Sequence, residues 1–325
     1  MARANPNLSH RYLDLHHLEC QESQMTRETA NQSISFSAPA KINLFLAVTG
    51  MRSDGFHDLI SLLAKIDLCD AVTLEKTNKI GEISCKCLGN EELSGAGNLA
   101  WKAVELWRET TGEKYGVRVT IQKRIPVMAG LGGGSSDAIA TLRGLNSWRE
   151  NSLNQEELLG LASNLGSDCA SFLIEGACVA SGRGEMVKPL SKEPNARLEG
   201  KRLLLFKPAL GFSTEGVYSA MSERQEVFSS QEDAERRIQA WEDGKVDLED
   251  CLGNDLETAV VDKYYFIRPL FETLSERFGL RPILSGSGSC CFAVLGDGCP
   301  VERVVQSVKE AWGEETFVAE HRIRS

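Results

Sequence analysis

One glycine-rich segment, residues 126–138, constrains the fold more than any other part of the sequence. It reads Pro-Val-Met-Ala-Gly-Leu-Gly-Gly-Gly-Ser-Ser-Asp-Ala and follows a stretch at 117–123 whose alternation predicts a β-strand. The apolar residues from Ile139 to Leu145 then recur at helical spacing. A strand, a run of glycines and a helix N-terminus form an anion site, because free N–H groups and the helix dipole point at the loop. The segment therefore predicts phosphate binding.

Two better-known glycine loops do not match this segment. A Walker A loop requires Gly-Lys-Ser or Gly-Lys-Thr after its spacer, and the sequence contains neither. Counted from Gly130, the dinucleotide fingerprint requires a glycine at the position of Ser135, and the loop comes too late to be the first turn of a Rossmann domain. A flexible linker would not lead directly into an amphipathic helix.

Strand and helix patterns alternate on both sides of the loop, which predicts an α+β fold. A strand pair interrupted at Pro39 is predicted over 33–49, followed by strands at 59–65 and 71–75. A polar segment containing several prolines and glycines separates two halves, so we predict an N-terminal domain at 33–190 and a C-terminal domain at 191–325. The other predicted elements are helices at 98–110, 154–165, 267–278 and 301–312, an exposed helical stretch at 222–250, and strands at 176–181, 202–206, 290–295 and 316–323.

The second half of the first strand carries two polar side chains close together. Period-2 geometry sends Lys41 and Asn43 to one face. The same geometry sends the aliphatic residues to the other face, namely Ile42, Leu44, Leu46 and Val48. Two neighbouring polar groups fit either plain solvent exposure or a shared site, and the spacing alone does not decide between them.

The net charge of −10 argues against a nucleic acid or an anionic membrane surface as partner. No apolar run approaches the roughly 20 residues that span a bilayer. Residues 1–32 lack the apolar core of a secretory signal, and we predict a disordered N-terminal extension there. The cysteines lack zinc-knuckle spacing, and Cys69, Cys178 and Cys290 lie in apolar runs. These features predict reduced thiols in a cytoplasmic protein.

Five motifs, in one order, resemble the galactokinase, homoserine kinase, mevalonate kinase and phosphomevalonate kinase superfamily. They are the glycine loop at 126–138, Ala-Pro-Ala-Lys-Ile-Asn-Leu at 38–44, Arg-Ser-Asp-Gly-Phe-His-Asp at 52–58, Leu-Gly-Ser-Asp at 165–168 and Leu-Ser-Gly-Ser-Gly-Ser at 284–289. The triple glycine resembles the branch that phosphorylates the 2-hydroxyl of a cytidine diphosphate-linked methylerythritol in non-mevalonate isoprenoid biosynthesis. The resemblance implies a two-domain α+β kinase fold, an active site in the interdomain cleft, and ATP bound with Mg²⁺.

The resemblance also implies roles for individual residues. Asp168 would take the proton of the acceptor hydroxyl, and Lys41 would stabilise the transferring phosphoryl group. An aspartate at this position also fits the cap of the next helix. The residues implied in binding are Asn43, Phe56, His57, Thr214 and Tyr218 for the substrate, and Asn98, Gly130, Gly132, Gly133, Gly134, Ser135 and Ser136 for ATP.

Several of these residues have a second interpretation. Asn98 fits a helix N-cap, His57 fits a solvated turn, and Thr214 and Tyr218 fit the start of a surface helix. Phe56 stands where many members carry tyrosine, so any hydrogen bond from that hydroxyl is lost. The rival functions are another alcohol kinase of the superfamily, such as homoserine or mevalonate kinase, and an inactive ATP-binding relative. The sequence indicates neither an acidic Mg²⁺ ligand nor an oligomeric state.

Overall fold

A computed structural model describes residues 33–224 and 227–324, so the extension predicted at 1–32 lies outside the described residues. Two short 3₁₀ helices cover Glu91–Leu93 and Cys169–Leu173. The strands are β1 (Ser33–Met51), β2 (His57–Thr77), β3 (Ile83–Leu88), β4 (Gly116–Gln122), β5 (Cys178–Gly182), β6 (Met186–Pro189), β7 (Arg202–Lys207), β8 (Gly253–Asn254), β9 (Ile283–Leu284), β10 (Cys291–Val294) and β11 (Phe317–Arg324). The α-helices are α1 (Leu99–Thr111), α2 (Gly133–Ser147), α3 (Gln155–Leu165), α4 (Lys192–Leu198), α5 (Thr214–Ser222), α6 (Gln231–Glu242), α7 (Leu248–Cys251), α8 (Leu256–Lys263), α9 (Ile267–Phe278) and α10 (Val301–Trp312).

One mixed sheet joins the two halves of the chain. Its main path runs β3-β4-β2-β11-β7-β10-β9, while β1 and β5 also pair with β2. The last strand makes the connection, because Ile323 and Arg324 pair with β2 while the preceding residues of β11 pair with β7. The glycine loop, which follows β4, also contacts the C-terminal half directly, because the N–H groups of Ser289 and Cys290 donate to Met128 O and Ala129 O.

Two strand breaks predicted from the sequence are wrong. β1 continues through Pro39, where its register with β2 shifts, and β2 covers both predicted strands and the residues between them. The residues between the two predicted strands include Asp67 and Asp70, and both carboxylates have partners. Asp67 lies 2.7 Å from His321 Nδ1, and Asp70 accepts hydrogen bonds from two backbone N–H groups at 124–125. A charged group with such partners can remain inside a strand.

The single face predicted for the aliphatic residues of β1 is also wrong. The register shifts between Asn43 and Phe45, where β1 carries one residue more than β2. An extra residue in one strand reverses the faces of the side chains that follow it. The aliphatic residues consequently divide between two hydrophobic clusters, Ile42 and Leu44 in a central one, Leu46 and Val48 in a C-terminal one.

The helices begin and end close to their predicted bounds. Asn98 Oδ1 accepts a hydrogen bond from the N–H of Ala100 at the start of α1, and the helix ends at Gly112 in the left-handed conformation, φ 73°. Asn154 and Glu157 form the predicted capping box of α3. The predicted bounds of α9 and α10 are confirmed.

In the described part of the chain three large hydrophobic clusters stabilise the fold, and a small fourth one contains Leu63, Cys178 and Ala180. The N-terminal cluster packs α1, α2 and α3 against the sheet, and the C-terminal cluster packs α5, α8, α9 and α10. The central cluster takes residues from both halves, including Ala234, Ile238 and Trp241 of α6. That helix is therefore amphipathic rather than wholly exposed as predicted for 222–250. The boundary at residue 190 stays a prediction, since the two segments share this central cluster.

Eight of the nine cysteines in the described ranges are buried. None of the nine forms a disulfide bond, and Cys69, Cys178 and Cys290 are buried as predicted. Nowhere in 33–224 or 227–324 is a helix long and apolar enough to cross a membrane.

Candidate active site

A cavity of about 1100 Å³ lies between the two halves of the chain. Its walls are the glycine loop, β1, β2, the turn at 55–57, the start of α5 and the glycine motif at 286–287. With one exception, every site residue predicted from the sequence lines this cavity. The exception is Ser136, which is buried under the loop with its hydroxyl unpaired.

The glycine loop adopts a conformation that requires glycine at two positions. Gly130 and Gly132 have φ values of 69° and 68°. A Cβ on Gly130 would overlap the carbonyl oxygen of Ser285, and a Cβ on Gly132 would lie 2.8 Å from the ring of Phe172. α2 begins directly at Gly133, so its first N–H groups lie beside the loop. This is the strand, loop and helix order of an anion site.

Lys41 lies between the two glycine motifs. Its backbone N–H donates to Leu131 O at 3.0 Å, and its Nζ would lie 3.3 Å from a Cβ on Gly286. The ammonium donates to Asn43 Oδ1 at 2.7 Å and stands 3.6 Å from Asp168 Oδ2. The shared face predicted for Lys41 and Asn43 is confirmed.

Asn43 is held by a chain of buried hydrogen bonds. Its Nδ2 donates to Ser61 Oγ at 2.8 Å, and that hydroxyl donates to Phe45 O at 2.6 Å. The amide nitrogen is therefore engaged with β2, which leaves the amide oxygen to accept from Lys41. The arrangement fixes the direction of the lysine side chain.

Asp168 stands at the N-terminal end of the 3₁₀ helix Cys169–Leu173. Its side chain makes no capping hydrogen bond to that helix, so the capping interpretation is wrong. Its backbone carbonyl instead accepts from Ser171 Oγ at 2.7 Å. The carboxylate lines the cavity and is 44% exposed, which leaves it accessible to a bound alcohol.

A buried cluster of charges that sequence analysis missed lies beneath the loop. Lys123 Nζ donates to Asp137 Oδ2 at 2.9 Å, contacts Asp70 Oδ2, and would stand 3.1 Å from a Cβ on Gly133. Asp137 Oδ1 is buried without a hydrogen-bond partner. Burial raises the pKa of Asp137 to about 7, reinforced by Asp70 and opposed by Lys123. Asp137 stands inside the glycine motif and Lys123 shortly before it, but their partner Asp70 is distant in sequence.

Aromatic residues define the opposite end of the cavity. The ring centroids of His57 and Tyr218 are 5.1 Å apart, and Phe228 approaches His57 edge-on at 6.0 Å. His57 Nε2 lies 2.9 Å from Ser222 Oγ, so the histidine is buried rather than solvated. Burial lowers the pKa of His57, which favours the neutral ring at neutral pH. Phe56 is 49% exposed.

Thr214 and Asn98 line the cavity while bonding to other protein groups. Thr214 Oγ1 lies 2.9 Å from Ser287 Oγ, which connects the start of α5 to the glycine motif at 284–289. Asn98 Oδ1 caps α1, and its Nδ2 donates to Leu93 O at 2.7 Å. The capping interpretation of Asn98 is thus confirmed, and its contact with a nucleotide stays a prediction.

Comparison with known sequences agrees with this geometry. Residues 98–176 match the family model described as the GHMP kinases N terminal domain. A 4-diphosphocytidyl-2-C-methyl-D-erythritol kinase of Thermodesulfovibrio yellowstonii is 35% identical over 285 residues, which is 86% of this chain and 95% of the relative. The kinase of the same name from Prochlorococcus marinus is 38% identical over 276 residues, 81% of this chain and 85% of the relative.

Solved structures show the same fold. A crystal structure of a 4-(cytidine 5'-diphospho)-2C-methyl-D-erythritol kinase is 31% identical, with a TM-score of 0.67, and the match covers 89% of this chain and 99% of that one. A homoserine kinase from Cytophaga hutchinsonii has a TM-score of 0.70 at 18% identity, covering 91% and 96% of the two chains. The second likeness concerns the fold alone, and together they confirm the predicted α+β kinase fold.

Proposed function

The chain belongs to the 4-diphosphocytidyl-2-C-methyl-D-erythritol kinase family, and we infer that it transfers the γ-phosphoryl group of ATP to the 2-hydroxyl of that substrate. The products are the 2-phosphate and ADP, and the reaction belongs to non-mevalonate isoprenoid biosynthesis. The observation that carries this function is the position of Lys41, whose ammonium stands 3.6 Å from Asp168 Oδ2 beside the glycine loop.

The chemical step uses the carboxylate and the ammonium together. Asp168 accepts the proton of the attacking 2-hydroxyl as the phosphoryl group moves. Lys41, oriented by Asn43, faces the charge on the transferring group. Phosphoryl transfer passes through a loose transition state in most analyses, so positioning contributes as much as basicity.

ATP and the cytidine-bearing alcohol bind at opposite ends of the cavity. The N–H groups at the start of α2 bind the phosphates of ATP, together with the glycines from Gly130 to Gly134 and the hydroxyl of Ser135. Asn98 lies at the adenosine side. At the other end Tyr218 and Phe56 contact the cytosine ring, and His57 recognises its polar edge. Thr214 lies beside the diphosphate-linked alcohol.

Mg²⁺ would enter with the phosphates of ATP. Across the described ranges, no group of three or more His, Cys, Asp or Glu side chains could hold a metal ion by itself. Mg²⁺ commonly binds through one or two protein oxygens and the substrate phosphates. The hydroxyl oxygen of Ser135, which lines the cavity beside the loop, fits this role. Bound Mg²⁺ would neutralise phosphate charge.

The net charge of −10 and the small-molecule substrates support a cytoplasmic enzyme without nucleic-acid or membrane partners.

An ADP-release assay across a panel of alcohols tests this function. The panel contains the cytidine diphosphate-linked methylerythritol, free methylerythritol phosphate, homoserine and mevalonate. We expect turnover of the cytidine-bearing substrate alone, because the smaller alcohols carry no base that could contact the aromatic end of the cavity. Comparable turnover of homoserine or mevalonate would assign the chain to another kinase of the superfamily. ATP binding without turnover of any alcohol would identify an inactive relative.

A further inference from the structure

Arg183 occupies a tight turn beside Ser167, the residue that precedes Asp168. It lies between β5 and β6, flanked by Gly182 and Gly184, whose φ values are 66° and 113°. A Cβ on Gly184 would lie 3.3 Å from the carbonyl oxygen of Ser167, so the turn packs against the residue preceding Asp168. The backbone N–H of Arg183 donates to Glu185 Oε2 at 2.7 Å. The backbone that carries the guanidinium is therefore well fixed.

Arg183 differs from the other cations that line the cavity. Lys41 stands close to Asp168, and Lys123 is held by two buried carboxylates. The guanidinium of Arg183 has no ion-pair partner in the described parts of the chain. The pKa of Asp54 is lowered mainly by a hydrogen bond from the backbone N–H of Phe56, and the charge of Arg183 adds a small contribution. The cavity thus contains an arginine whose donors are available to a ligand.

The position of Arg183 relates the two ends of the substrate site. Its Cζ lies 4.8 Å from the ring centroid of Phe56, at the aromatic end, and its turn packs beside Asp168, at the reacting end. A substrate that joins cytidine to the reacting alcohol carries a diphosphate between these two parts. A guanidinium presents forked N–H donors that match phosphate oxygens. Packing against an aromatic ring holds such a group in place at little cost.

We propose that Arg183 binds the diphosphate of the cytidine-bearing substrate and thereby selects against alcohols without it. This inference rests on the proposed function, since the diphosphate belongs to that substrate. The contact would lower the KM for the alcohol and leave the binding of ATP, at the glycine loop, unchanged.

The first experiment compares Arg183→Gln with Lys188→Gln by steady-state kinetics. Lys188 is an exposed cation of the same hairpin that does not line the cavity, so it controls for the loss of one positive charge. In Arg183→Gln the KM for the cytidine-bearing substrate should rise by about tenfold to a hundredfold, the size expected for one charge-assisted hydrogen bond. The KM for ATP should change by less than about twofold, and Lys188→Gln should behave as wild type. An unchanged alcohol KM, or a raised ATP KM, would overturn the assignment.

The second experiment separates the diphosphate from the base. Cytidine diphosphate and cytidine are compared as inhibitors competitive with the alcohol substrate. Wild type should bind cytidine diphosphate more tightly than cytidine. In Arg183→Gln the inhibition constant of cytidine diphosphate should rise about tenfold, while that of cytidine should stay the same. An equal weakening of both inhibitors would mean that Arg183 acts only through Phe56, which contradicts the proposal. If Arg183→Gln loses its fold, Arg183→Lys keeps the charge without the fork and should give an intermediate KM. Failure of wild type to phosphorylate the cytidine-bearing alcohol would instead reject the proposed function.

Discussion

The ammonium of Lys41 stands 3.6 Å from Asp168 Oδ2, with the lysine side chain 5% exposed and the aspartate 44% exposed. The separation is longer than a hydrogen bond, while the bond from Lys41 to Asn43 measures 2.7 Å. The lysine is therefore fixed by its neighbour on β1, and the carboxylate keeps its oxygens available to a substrate hydroxyl. This asymmetry is what a general base next to an electrostatic stabiliser requires.

Asp168→Asn and Lys41→Ala should each lower kcat by about a hundredfold or more, because a general base typically contributes about 10² to 10⁴ in rate. The double variant should be scarcely slower than either single variant, since the two groups act on one step. ATP affinity, measured by equilibrium binding, should remain within about threefold of wild type because neither change alters the glycine loop. Near-normal turnover of Asp168→Asn would remove this residue from the chemistry, and lost ATP affinity would point to a structural role.

Gly134→Ala should weaken ATP binding without harming the fold. Gly134 is exposed inside the first turn of α2, where a Cβ would meet only Leu99 Cδ1 at 3.8 Å, so the folded protein accommodates it. A methyl group on the phosphate side of the loop blocks close approach of the phosphates, and we expect the ATP Kd to rise about tenfold or more, since a bond to a charged group contributes about 1.5–3 kcal/mol.

Gly160→Ala is the matched control for that loop variant. Gly160 lies in α3, exposed and with no atom within 4 Å of a Cβ placed on it. Both alanines should leave the free energy of unfolding unchanged or raise it by up to about 1 kcal/mol, because alanine favours the helix over glycine. If Gly160→Ala weakened ATP binding equally, or if Gly134→Ala did not weaken it, the phosphates would not lie on this helix terminus.

The pH dependence of stability should reveal the buried Asp137. An acid whose pKa is raised to about 7 in the folded state binds its proton more tightly there than in the unfolded chain, where the pKa is near 4. Stability is therefore lost as pH rises from about 4 to about 7. Asp137→Asn removes this titration, so its melting temperature should fall less than that of wild type between about pH 5 and pH 8, with a difference of about 2 °C or more.

Asp243→Asn controls for the loss of one carboxylate. Asp243 is ion-paired with Lys245 at the end of α6, and its hydrogen bond to that lysine lowers its pKa, which places its titration below the tested pH range. In Asp243→Asn the melting temperature should fall between about pH 5 and pH 8 by as much as it does in wild type. Identical pH profiles for Asp137→Asn and wild type would show that Asp137 is already ionised in the folded protein at pH 5.

Local patterns in the sequence predicted the loop and the helix ends because their determinants lie within a few residues of each other. The glycines, the cap at Asn98 and the capping box of α3 are examples. The continuity of β2 was missed because Asp67 and Asp70 find their partners at His321 and 124–125, far along the chain. A bulge likewise depends on the paired strand, so the alternation in β1 alone did not show it.

In the candidate site, too, residues within local motifs could be predicted, and residues with distant partners could not. Residues inside motifs were identified by resemblance, whereas Lys123, Arg183 and Ser222 were not. Each of the three is chemically ordinary until folding places it against a distant group, respectively Asp70, Phe56 and His57. Ser136 differs from the other motif residues, because its motif predicted a ligand contact while the structure buries its side chain.

We predict that Ser222 positions His57, the residue proposed to recognise the cytosine ring. Its hydroxyl donates to Tyr218 O at 3.0 Å, so its oxygen accepts from His57 Nε2–H and leaves Nδ1 as an acceptor. Removing this bond in Ser222→Ala should raise the KM for the cytidine-bearing substrate about fivefold, the effect of about 1 kcal/mol, while kcat and the KM for ATP change little. Ser163→Ala removes the equivalent helical hydroxyl, which donates to Leu159 O at 2.9 Å, and should leave all three constants unchanged.

The pH profile separates positioning from loss of structure. Because burial lowers the pKa of His57, the ring stays neutral in wild type until the pH falls below its ordinary value, near 6.5. Acidification should then raise the alcohol KM, since the protonated ring no longer offers Nδ1 as an acceptor. In Ser222→Ala the ring lacks the hydrogen bond to the serine, so it is free to reach solvent and become protonated at a higher pH. The rise in the alcohol KM on acidification should therefore begin at a higher pH than in wild type. A KM that is raised in Ser222→Ala but follows the wild-type pH profile would mean that the serine acts on the packing of α5 and not on the histidine.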